Sequence, residues 1–120
     1  MGKHYGLADL VRLQPIEQVN MHNAAVTADT DILTAAIIPV NYPCLFRVLA
    51  AFSAAGIFRA TMTKNGDTQV VDFNQGNNLV AASLYMFDLL VHEGGSVNFQ
   101  YSINATLQVL RVQEIDAGVQ

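Results

Sequence analysis

The chain is short of charge. Of its 120 residues 13% are charged and 52% apolar, where an ordinary soluble domain carries about 25% charged residues. Much of the solvated surface such a domain presents is therefore missing. Basic residues are few: Lys3, Arg12, Arg47, Arg59, Lys64 and Arg111 are scattered, and the net charge is −4. Phosphate-backbone binding needs a dense basic patch, so no nucleic-acid partner is expected. A single cysteine, Cys44, excludes an internal disulfide, and its Tyr-Pro-Cys-Leu setting reads as a small buried thiol. Long hydrophobic runs are absent too. A spanning helix needs roughly 18 uninterrupted apolar residues, and the longest candidate, 45–58, is broken by Arg47, Ser53 and Gly56. No membrane partner is expected, and the apolar excess points to contact with other protein. Residues 1–20 lack a basic start followed by an apolar stretch, so no cleaved export signal is read there.

What the chain has is short alternating segments. Residues 96–103 place Val97, Phe99, Tyr101 and Ile103 on one face and Ser96, Asn98, Gln100 and Ser102 on the other, the pattern of a half-buried strand. Residues 83–91 and 45–52 are apolar on both faces. In the first, Tyr85, Phe87, Leu89 and Val91 alternate with Leu84, Met86, Asp88 and Leu90. In the second, Phe46, Val48, Ala50 and Phe52 alternate with Leu45, Arg47, Leu49 and Ala51. One face of each meets a core and the other needs a second partner. Further strands are expected at 23–28, 32–40, 57–63, 68–73 and 104–115. Asn65-Gly66 between two of them is the strongest short hairpin signal, because both residues accept the positive φ of a type I′ turn. Neighbouring apolar residues at Val109-Leu110 imply a bulge or burial on both faces. Seven or eight short strands with regular turn signals predict an all-β sandwich or barrel.

Residues 1–23 differ in composition and read as an N-terminal arm ahead of a β-sandwich domain at 24–120. Leu7, Leu10, Val11 and Leu13 would line its apolar side, for docking on another protein or across its own domain. No catalytic, metal-binding or cofactor arrangement accompanies these elements. No serine or cysteine sits in a Gly-x-Ser-x-Gly elbow. Carboxylates fall in turns (Asp29, Asp31, Asp67, Glu93) or in the tail (Glu114, Asp116), and Gly76, Gly94 and Gly95 read as turn glycines. Asp29-Thr-Asp31 is a capped turn rather than a calcium loop, which needs more oxygen ligands. His4 and His22 show no metal-ligand spacing. Asp88 interrupts the outer face of 83–91; it is either an exposed structural acid or the partner of Arg47, Arg59 or Arg111 of a neighbouring subunit.

The run Ile57-Phe-Arg-Ala-Thr-Met-Thr-Lys-Asn-Gly66, followed by Ala81-Ala-Ser-Leu-Tyr-Met-Phe-Asp-Leu-Leu-Val-His-Glu-Gly-Gly-Ser-Val-Asn-Phe-Gln100 and a closing apolar strand, resembles the second half of tumour necrosis factor-like and complement-head jelly rolls. The chain is also similar in plan to the small trimeric decoration proteins of tailed-phage heads. The resemblance implies an antiparallel jelly roll and a homotrimer, with Leu45, Leu49, Leu84, Met86, Asp88 and Leu90 at the subunit interface. It further implies a virion protein, made in the host cytoplasm, that cements a head through its arm and the major capsid protein or another large assembly. The alternative is a carbohydrate- or receptor-binding fibre head, with its site in the loops at 74–78 and 41–42.

Overall fold

The computed structural model describes residues 15–40, 43–91 and 95–116. Seven strands run through them: β1 (Ile16–Val26), β2 (Cys44–Phe52), β3 (Phe58–Lys64), β4 (Asp67–Asp72), β5 (Tyr85–Val91), β6 (Ser96–Tyr101) and β7 (Ala105–Asp116), with one 3-10 turn at Asn74–Gly76. All pairings are antiparallel, in a four-stranded sheet of order β1-β7-β2-β5 and a three-stranded sheet of order β4-β3-β6. The Ile37 to Val97 bridge and a hydrogen bond from the Ile32 N–H to the Phe99 carbonyl attach residues 32–40 to the outer side of β6. Counting that segment as a reduced strand gives the interleaved order of a jelly roll, an all-β sandwich in which each sheet takes strands from both halves of the chain.

Alternation explains most of the strands. Phe46, Val48, Ala50 and Phe52 of β2, Phe58 and Ala60 of β3, and Val97, Phe99 and Tyr101 of β6 are buried between the sheets. At the β3–β4 hairpin, Asn65 and Gly66 both take positive φ (52° and 83°), as a type I′ turn requires. Gly95, with φ of 105°, ends the turn into β6; a Cβ there would collide with the Thr63 carbonyl. Where β2 pairs with β7, the register jumps from Ala51↔Val109 to Phe52↔Leu107. That irregularity in β7 passes over Gln108 and falls beside the expected break in alternation.

Two expected elements differ. The first strand begins at Ile16, so residues 16–23, expected in the arm, belong to β1. A register shift between Glu17 and Val19, and a positive φ at Asn23, break its alternation and hid it in the sequence. Residues 32–40 are not a regular strand. At Leu33 the buried side-chain amide of Asn98 takes the place of the backbone ladder, accepting from the Leu33 N–H and donating to the Leu33 carbonyl, both at 3.0 Å. The anticipated buried thiol is present, with Cys44 fully enclosed.

Tyr101 stacks on Phe52 with ring centroids 3.8 Å apart, and its hydroxyl donates to the Ala54 carbonyl at 2.6 Å. Burial pushes its phenol above the ordinary value of 10.0. A group whose pKa is raised by folding contributes stability that is complete below its unfolded pKa and is lost as pH rises. The melting temperature should therefore fall above about pH 10, and Tyr101→Phe should fall less steeply over that range. Parallel profiles for the two proteins would show that the phenol is not responsible.

Candidate functional site

Among the described residues β5 is the last strand of its sheet, with β2 on one side and no further strand on the other. Its inward residues pack on the core, and its other face is bare: Leu84, just before the strand, is 62% exposed, Met86 61% and Leu90 48%. The register sets Leu90 opposite Leu45, Asp88 opposite Arg47 and Met86 opposite Leu49. Directly opposed residues share a face. All six residues named for a subunit interface thus lie on one outer surface, Leu45 and Leu49 half-buried between flanking strands. Across β2, Ile115 of β7 lies opposite Leu45 and Arg111 opposite Leu49, which extends the apolar strip and then ends it.

The charges of this surface are neutralised within the chain. Arg47 Nε donates to Asp88 Oδ1 at 3.3 Å. Asp88 is exposed and pairs across the register with Arg47 of its own chain, in the manner of the exposed structural acid that was the first of its two expected roles. At about 40–50% side-chain exposure such a pair contributes up to about 1 kcal/mol. Arg111 donates two hydrogen bonds to the Glu17 carboxylate at 2.8 and 3.0 Å. Those bonds hold the Glu17 carboxyl below its ordinary value and push the Arg111 guanidinium up. Arg59 bridges Asp29 at 2.7 Å and Asp72 at 3.3 Å. Asp31 accepts from the Gln100 amide at 2.8 Å, so both acids of the 29–31 turn are tied to the three-stranded sheet. His22 is exposed and bonds Asn20.

Sequence reasoning missed Glu114, which it grouped with the tail. Its residue is 1% exposed. The carboxylate accepts from Gln18 Nε2 at 2.7 Å and from the Val40 N–H through both oxygens at 2.8 and 3.0 Å, clamping β1 and the end of the 32–40 segment to β7. The available signal was the alternation of Leu110, Val112 and Glu114, which puts the acid on the buried face.

Two concavities flank the sheets. A cleft of about 420 Å³ at one end is lined by Met62, Thr63, Lys64 and Gln69 on one side and by Leu90 and Val91 on the other. A groove of about 460 Å³ runs between β1, at Gln18 to Met21, and residues 32–38. Neither is lined by the 74–78 loop. That loop bonds the start of β3 through Phe73 and leads to Leu79, which pairs with Gly56 just past β2. Residues 41–42, and Leu7, Leu10, Val11 and Leu13 of the arm, lie outside the described residues.

The chain is thus a jelly-roll sandwich with an apolar, internally neutralised sheet edge. No family model, curated protein or solved structure matches it.

Proposed function

We propose that the chain is a non-enzymatic structural protein of a virion, a homotrimeric decoration or cement protein of a bacteriophage head. The single observation that supports this reading is the gathering of Leu45, Leu49, Leu84, Met86 and Leu90 on one open sheet edge. Burial of such surface releases about 25 cal/mol per Å², and a subunit that binds only the assembled shell stabilises that state by mass action. In this reading the edge joins copies of the chain, while Leu7, Leu10, Val11 and Leu13 reach the major capsid protein or another large assembly.

The test has two parts. Light scattering of the full chain across a hundredfold dilution should give three times the 13.0 kDa chain mass; a monomer throughout overturns the trimer. Removing residues 1–14, which stops short of β1, should leave three chains in the oligomer and abolish co-sedimentation with phage heads. Undiminished co-sedimentation of the truncated chain would overturn the arm's role.

A further inference from the structure

We infer that Asp88 is a guard residue, which keeps the hydrogen-bonding edge of β5 from pairing with the same edge of a second copy and so keeps the chain from growing into fibres. The edge of a strand is separate from its faces, so this role stands whether or not the outer face joins copies of the chain. An outermost strand carries a row of unpaired backbone groups that can template another strand, and proteins blunt such edges with bulges, prolines or charges. The other outer strands here are blunted. β1 is interrupted by the register shift at Glu17/Val19 and by the left-handed Asn23. β4 is six residues long, begins and ends in Asp67 and Asp72, and exposes Thr68 and Gln69 between them. The 32–40 segment beside β6 is irregular, with both backbone groups of Leu33 tied to the Asn98 side chain. β5 has none of these devices. Its seven residues pair with β2 in unbroken register and include no proline, glycine or basic residue. It is apolar on both faces, the composition of segments that stack into cross-β fibres. Asp88 is the only charge between Ser83 and Val91.

The place of that charge along the strand gives it this role. Asp88 is the middle residue of Tyr85–Val91. Two β5 edges paired antiparallel over their full length are related by a two-fold axis midway between the two copies of this residue, so Asp88 stands directly opposite Asp88. A slip of one residue sets outer side chains opposite inner ones, and a slip of two leaves the carboxylates on a diagonal of about 7–8 Å. Parallel in-register stacking repeats Asp88 over Asp88 about every 4.8 Å. Every register that keeps the two faces matched therefore sets like charges beside each other, which disfavours it. Arg47 lies on β2, on the far side of Asp88 from the open edge, so it does not come between the two carboxylates. The ion pair within the chain contributes little at this exposure, so the stability of the single chain does not account for an acid in the middle of an apolar edge strand. A charge placed to interrupt such a run does account for it.

The test compares the full-length wild type with Asp88→Asn and Asp88→Lys, at a position exposed enough for the fold to persist. Asparagine removes the charge at nearly constant shape. Lysine also removes the pair with Arg47 but restores a like charge between copies. Each protein is concentrated stepwise and followed by light scattering and thioflavin fluorescence, with circular dichroism to verify the fold. Asp88→Asn should pass beyond the wild-type mass at about fivefold lower concentration and give fibres with the roughly 4.8 Å spacing of stacked strands. Asp88→Lys should not pass beyond the wild-type mass over the same range. If Asp88→Asn stays as soluble as the wild type, the edge is covered or guarded in another way, and the inference fails. If Asp88→Lys assembles as readily as Asp88→Asn, loss of the Arg47 pair is the cause, and the inference fails equally. Only masses above that of the wild type are read, so the loss of a trimer cannot mimic either result.

Discussion

Truncating Phe58 to alanine is expected to cost the fold about 4 kcal/mol. Phe58 is fully buried on β3, and its ring lies 5.3 Å from that of Phe52, 5.0 Å from Phe73, 5.6 Å from Phe99 and 6.3 Å from Phe87. Those partners come from both sheets, so no small shift of one strand can close the space left behind. The loss therefore combines the transfer term of the ring with a residual cavity. Urea unfolding should show a lower midpoint at an unchanged slope. A change below about 1 kcal/mol would mean that the aromatic cluster does not hold the two sheets together.

Glu114→Ala should be the next most damaging substitution, at about 3 kcal/mol. The change deletes a carboxylate that accepts from the Gln18 amide and the Val40 backbone, leaving those donors without their acceptor next to a new void. Glu114→Gln keeps the shape and one carbonyl acceptor, so it should lose less than the alanine. Equal losses in the same unfolding measurement would show that packing, rather than hydrogen bonding, accounts for the position.

β2, β5 and β6 were legible because a strand has a period of two and their buried residues keep it. The outer face of β5 was legible for the same reason, since Leu84, Met86 and Leu90 stand where a solvated strand carries polar residues. β1 was not, because the shift at Glu17/Val19 and the left-handed Asn23 interrupt its period. Residues 32–40 have the β-branched composition of a strand, yet between the backbone bonds of Ile32 and Ile37 to β6 the Asn98 side chain takes both backbone groups of Leu33 out of the ladder. The nearness of Ile16 and Val40 had no signature, because Glu114 of β7 lies opposite the first and accepts from the backbone of the second. Asp88 was correctly noticed as out of place, but its partner lay directly across the register, and pairing between strands cannot be read before the sheet order is known.

The clamp by Asn98 has a consequence for how this chain can change. Where a ladder sets the register, an added residue turns every later side chain to the wrong face. Between Leu33 and Ile37 the backbone is held at its ends, by one amide and one bridge, and exposed residues such as Thr34 and Ala35 lie between the two holds. Extra length there bulges outward without moving a core residue. This is the stretch at which related chains should differ in length, and at which a foreign peptide could be displayed on the sandwich.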